Sequence, residues 1–137
     1  GVRPEMTRVR VLIVDAEAEF TGLVVDRLHS WGYEAAAASD ADEALVVQTS
    51  LQPEVAVISV QERPARALEL MGLLQAADPA LKVILLLGRG AAGAGVRGME
   101  MGASDCLPLP LDLGVLIDSL RKVCGRSQSI ASEEAEP

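Results

Sequence analysis

Three apolar runs in this chain stop where a parallel sheet would offer side chains to a ligand, and the residues at those stops decide what chemistry is available. Val11-Leu12-Ile13-Val14 stops at Asp15 and Ala16, Val55-Ala56-Val57-Ile58 at Ser59, and Val83-Ile84-Leu85-Leu86 at Leu87, just before Gly88. One carboxylate, one hydroxyl and one leucine make a sparse set. No nucleophile–base pair, pair of catalytic carboxylates or metal-ligand cluster accompanies them, so no enzyme is expected. Ser59 reads either as a hydrogen-bonded strand end or as a target for a Ser/Thr kinase.

A second candidate is the segment Gly88-Arg89-Gly90-Ala91-Ala92-Gly93, a G-x-G-x-x-G pattern after a strand and before a helix. There, backbone N–H groups and a helix N-terminus can hold phosphate, and Arg89 adds charge. The pattern follows the fourth strand rather than opening the first βαβ unit, and it lies in a run dominated by Ala and Gly. A nucleotide- or anion-binding regulatory domain is therefore carried as the alternative reading. His29 is the sole histidine and sits at the end of a helical pattern, where it complements the helix dipole. Glu17 reads as a partner for the dipole at that helix's N-terminus or as a second carboxylate beside Asp15.

These residues need a scaffold. Strand-like runs at Val9–Val14, Glu34–Ala37, Val55–Ser59, Val83–Leu87 and Asp105–Leu107 alternate with helical patterns. Such alternation predicts βαβ units and a five-stranded, doubly wound parallel sheet. The first helix runs from Glu17 to Ser30 with Phe20, Leu23, Val24 and Leu28 at helical spacing and Gly32 as its stop. Asp40-Ala41-Asp42-Glu43 reads as a capping box opening a second helix through Thr49, which makes Asp40 and Glu43 structural. The third helix spans Ala65 to Ala77. Between Gly88 and Gly102 lie Gly93, Gly95 and Gly98, each costing about 1 kcal/mol against Ala in a helix, so the fourth helix is expected to be short, late-forming or mobile. Asp112 caps a last helix from Leu113 to Cys124, with Gly125 as its stop.

Composition sets the outer bounds. With 137 residues the chain fits one domain that buries roughly two-thirds of its unfolded surface. Half of it is hydrophobic and only Phe20, Trp31 and Tyr33 are aromatic, so the core is aliphatic, as suits helices on a Val/Ile/Leu-rich sheet. A formal charge of −8 with scattered Lys and Arg argues against direct nucleic-acid binding. Cys106 and Cys124 fit no disulfide framework or ligand spacing and read as small buried hydrophobes. No run approaches a membrane span, and the start lacks a signal-peptide core, so a soluble cytoplasmic protein is expected. Residues 1–7 read as an N-terminal extension, 8–125 as the domain, and 126–137 as an acidic tail or linker.

From about Arg8 to Cys124 the chain resembles the receiver domain of bacterial two-component response regulators. The resemblance is carried by VLIVDAEAEF, GYEAAAASDADEAL, PEVAVISV and GASDCLPLP, four segments in the family's order. It implies a flavodoxin-like (βα)5 fold. In that family an acidic pair binds Mg²⁺, an aspartate ending the third strand accepts a phosphoryl group, a Thr or Ser after the fourth strand contacts it, and a lysine on the last strand pairs with it. Carried over by position, these fall on Asp15 and Ala16, Ser59, Leu87 and Leu109. Only Asp15 keeps the family's chemistry. One carboxylate is a poor Mg²⁺ site, leaving at most residual binding at Asp15, and Ser59 cannot form an acyl phosphate.

The resemblance thus points to a degenerate pseudo-receiver, a phosphorylation-independent protein-interaction module with no cofactor and no membrane contact. Its partner would be a signalling protein or a second copy, held through the face of the fourth helix, last strand and last helix, with Met99, Met101 and Leu113 as contact residues. Each methionine taken alone reads more readily as a gap-filler against the sheet. A cis peptide at Leu109-Pro110 is expected, as at the matching Lys-Pro bond of the family.

Overall fold

A computed structural model describes residues 8–125. The extension at 1–7 and the acidic segment at 126–137 lie outside the described residues. The elements alternate as the sequence predicts: β1 (Arg10–Val14), α1 (Ala18–Ser30), β2 (Glu34–Ala38), α2 (Ala41–Leu51), β3 (Val55–Val60), α3 (Pro64–Ala77), β4 (Lys82–Leu87), α4 (Ala92–Glu100), β5 (Asp105–Pro108) and α5 (Leu113–Cys124). The strands form one sheet in the order β2-β1-β3-β4-β5, all neighbours parallel. This is the flavodoxin-like strand order that the resemblance implies.

Alternation along the strands assigns their side chains to two cores. Leu12, Val14, Ile58, Val60 and Leu85 pack under α2, α3 and α4 with Leu68, Met71 and Leu74. Val11, Ile13, Val57, Ile84 and Leu86 pack under α1 and α5 with Val24, Leu28, Leu116, Ile117 and Leu120. Leu23, which the helical spacing counted on the apolar stripe of α1, is exposed.

Caps set where the elements begin and stop. The Asp40 carboxylate accepts the Glu43 N–H at 2.8 Å. The return half of the expected capping box is shifted by one residue, because the Glu43 carboxylate accepts from the backbone N–H and hydroxyl of Ser39 rather than from Asp40. Pro64 opens α3 at a position where a missing N–H costs nothing, and Asp112 accepts the Val115 N–H at 3.2 Å to open α5. Gly32 and Gly125 adopt the positive φ that stops α1 and α5. The His29 ring lies 3.0 Å from the Ala35 carbonyl, tying the end of α1 to β2.

Helix α4 is short, as the glycines predict, but they are not equivalent. Gly93 faces open space, while Gly95 and Gly98 press their backbone onto Leu87 and Leu85. The Leu109-Pro110 peptide is cis.

Candidate functional site

The strand order reverses between β1 and β3, so the connections leaving them diverge and open a crevice at the carboxyl ends of the strands. Asp15 stands at its centre, 6% exposed, with its N–H on the Ala38 carbonyl. Both carboxylate oxygens have partners. Oδ1 accepts the Glu17 N–H at 2.8 Å, an Asx turn that aims the chain into α1, and Oδ2 accepts the Gln61 side-chain amide at 3.3 Å.

The register pairs Val14 with Ile58, which places Ser59 one step further on beside Asp15, and pairs Ser59 with Leu86 of the α1/α5 core. Ser59 therefore belongs to the α1/α5 side of the sheet, and its buried hydroxyl finds no hydrogen-bond partner among the described residues. Leu109 packs on that same side, its N–H on the Leu87 carbonyl at 2.9 Å. The Leu87 side chain turns to the opposite side, into the α2/α3/α4 core. Ala16 is exposed and contributes no donor atom. Of the five positions, the structure gathers Asp15, Ser59 and Leu109 on one side of the sheet edge and sends Leu87 to the other.

Glu17 occupies the N-cap position of α1, yet its carboxylate makes no capping bond; its backbone serves Asp15 instead. Gln61 is the member of the site that sequence reading missed. No local pattern marked it: it lies in the bend just after β3, and its bond to Asp15 exists only because β1 and β3 are neighbours in the sheet.

The donor set does not suit Mg²⁺. An octahedral, oxygen-rich shell would have to form around one carboxylate already held by two N–H donors, one of them in a fixed turn. Among the described residues no group of three or more His, Cys, Asp and Glu stands at metal-binding distance.

In the glycine segment, the Gly88 N–H donates to the Val60 carbonyl at 2.8 Å and the Ala91 N–H to the Gly88 carbonyl at 3.1 Å. Two of the amides that could cradle an anion are thus engaged, Gly90 makes the turn with φ +82°, and Arg89 is exposed.

The expected partner face divides. Met99 is 47% exposed and Met101 40%, so neither fills a gap against the sheet. Met101 lines a groove of about 440 Å³ between α3 and α4 with Pro64, Leu68 and Arg97. Met99 lies two residues away, roughly 200° around the helix. Leu113 is half-buried in the α1/α5 core instead of lying open.

Away from the crevice, Asp105 anchors α5 to β5. Its carboxylate accepts the Ser119 hydroxyl at 2.6 Å and the Cys106 N–H at 2.9 Å, with the Lys122 ammonium at 3.5 Å. Burial pushes its pKa up, but these hydrogen bonds and the Lys122 charge together outweigh it and hold the carboxyl below its usual range. Burial, then the Asp105 charge, pushes the Cys106 thiol up. Cys106 and Cys124 are half-buried and not joined in a disulfide. A cleft of about 650 Å³ opens at the opposite end of the sheet beside Arg10, Glu54 and Lys82, far from Asp15 and Ser59. No helix of the described residues is long and apolar enough to cross a membrane.

Comparison with known proteins gives these positions a family. The model of the response regulator receiver domain matches residues 11–121. The transcriptional regulatory protein TrcR of Mycobacterium tuberculosis is 29% identical over 128 residues, covering 93% of this chain and 50% of TrcR. PrrA of Mycobacterium bovis, also a transcriptional regulatory protein, is 29% identical over 131 residues, covering 96% of this chain and 56% of PrrA. The chain thus spans about half the length of these curated relatives. Among solved structures, the receiver domain of NtrX from Brucella abortus superposes with a TM-score of 0.76 at 27% identity, covering 85% of this chain and 99% of that one. A response regulator receiver protein from Pseudomonas putida does so with a TM-score of 0.76 at 28% identity, covering 85% and 98%. With the strand order, the crevice and the family match in agreement, this chain belongs to the response regulator receiver domain family.

Proposed function

We propose that this receiver domain is a pseudo-receiver, a phosphorylation-independent protein-interaction module in cytoplasmic two-component signal transduction, and that it is not an enzyme. The observation that carries this reading is the state of the crevice: Ser59 stands where the family's acceptor aspartate is expected, and Asp15 is held by its own chain. Metal-assisted phosphoryl transfer needs a charge clamp on the transferred group and a carboxylate to receive it. Here the neighbours are Ala16, Leu109 and the amide of Gln61, which supply neither. Replacing charged groups by leucine also removes the need to satisfy them at a half-buried edge, so the substitutions are consistent as a set.

The partner is a protein, either a signalling partner or a second copy, and the net charge of −8 disfavours direct contact with nucleic acid. The relatives' names as transcriptional regulators suggest an output module beyond the length matched here. The test is an amide NMR titration with Mg²⁺ and beryllofluoride, a phosphoryl mimic. Unchanged resonances at Asp15, Ser59 and Leu87 are expected, and saturable shifts there would overturn the reading.

A further inference from the structure

We infer that Leu87, at the end of β4, acts as a wedge that seats α4 in a single position against the sheet, so that its outer surface stays in one state with no ligand at the strand ends. The constitutive half of this inference rests on the function proposed above; the seating itself does not.

Left to itself α4 is a weak helix. It has nine residues, three of them glycine, and its N-cap is Ala91, which offers no side-chain acceptor. Isolated helices of that length are marginal even with good helix formers, so contacts from outside must place it. Those contacts are unusually close. A Cβ on Gly95 would lie 2.5 Å from Leu87 Cδ1, and one on Gly98 would collide with Leu85 Cδ1 and lie 3.5 Å from Leu68 Cδ2.

Gly95 and Gly98 are one turn apart on one helix face, and Leu85 and Leu87 are one pleat apart on one strand face. Two leucine knobs from one strand thus enter two glycine hollows of one helix. A one-residue rotation of the helix would bring Val96 and Met99 onto those leucines, where their side chains have no room. Position along and around the axis is therefore fixed together. The Ala103 N–H closes the C-terminal end on the Gly98 carbonyl at 2.9 Å, and the Cys106 thiol stands 3.8 Å from the Gly95 carbonyl. The outward residues Val96 and Met99, 63% and 47% exposed, are carried in whatever position this seating dictates.

The test is hydrogen exchange and ¹⁵N relaxation dispersion on α4 amides in the wild type, Leu87→Ala and the double variant Leu87→Ala/Gly95→Ala. Flat dispersion is expected for wild-type α4. Leu87→Ala should accelerate exchange of the Gly95 and Met101 amides at least tenfold relative to strands β1 and β3, and adding Gly95→Ala should restore most of that protection by refilling the hollow. Dispersion already present in wild-type α4, or protection unchanged by Leu87→Ala, would overturn the wedge. Beryllofluoride shifts at Asp15 with flat α4 dispersion would instead overturn the phosphate-independent reading and leave the seating standing.

Discussion

The Gln61 side-chain amide donates to Asp15 Oδ2 at 3.3 Å, joining the ends of β3 and β1 across 46 residues of sequence. Asp15 is buried while Gln61 is exposed, so the bond shields the carboxylate from one side only. A neutral donor stands beside a carboxylate that the family's chemistry would give to a cation.

Gln61→Ala removes that donor and leaves the Glu17 N–H in place. The bond is near the long limit for N–H···O, and water can replace it, so a loss of about 0.5–1 kcal/mol is expected by urea denaturation. Asp15→Ala removes both bonds and the Asx turn, and should cost more, about 1–3 kcal/mol. Equal losses in the two variants would show that the Glu17 N–H contributes nothing.

Ser59→Ala tests the other half of the crevice. A buried hydroxyl without a partner opposes folding, so its removal is expected to leave stability unchanged or raise it by up to about 1 kcal/mol. A loss of more than about 1 kcal/mol would reveal a hydrogen bond to Ser59 that matters to the fold.

The glycines of α4 show where sequence reading reaches its limit. Strand ends, helix caps and the α/β alternation were legible because each is written locally, in periods of 2 and 3.6 and in residues such as Asp112 and Gly125. The crevice residues Asp15 and Ser59 were legible for the same reason, as the stops of apolar runs. What each of three equivalent-looking glycines touches depends on strands in register with the helix, and no local pattern encodes that. The same holds for the Gln61–Asp15 bond and for Met99 and Met101 falling on different sides of α4.

A pair of variants turns that difference into a measurement. A methyl group added at Gly93 would have nothing within 4 Å, so Gly93→Ala is expected to stabilise by about 0.5–1 kcal/mol through helix propensity. Gly98→Ala must displace Leu85, which is fully buried, and should destabilise by about 1–3 kcal/mol. Thermal unfolding of the two variants checks the opposite signs.

Cys106 offers a chemical probe of the β5–α4 contact. Burial and then the Asp105 charge disfavour its thiolate, which is the reactive form. Iodoacetamide at pH 8 should therefore alkylate Cys106 more slowly than a small-molecule thiol, and Asp105→Asn should speed the reaction. Mass spectrometry of the time course reads both rates, and an unchanged rate in Asp105→Asn would remove the charge from the explanation.

Asp105 also gives the domain an acid-sensitive joint. Its folded-state pKa lies below the ordinary aspartate value of 3.8, so the carboxylate contributes stability above that value and loses the contribution as pH falls through its folded pKa. Asp105→Asn keeps a similar shape but has no charge to hold the Ser119 hydroxyl and the Cys106 N–H, and should cost about 1 kcal/mol at pH 7. That gap should narrow as the pH is lowered from about 5 toward about 2, because the wild type loses on acidification what the variant never had. Lys122→Ala should matter little at any pH, since its side chain is 72% exposed and stands 3.5 Å from the carboxylate. Urea denaturation across this pH range separates the two partners: a gap that stays constant on acidification would place the stabilisation in the shape of the Asp105 side chain, and a gap reproduced by Lys122→Ala would place it in the ion pair rather than in the hydrogen bonds that fasten α5 to β5.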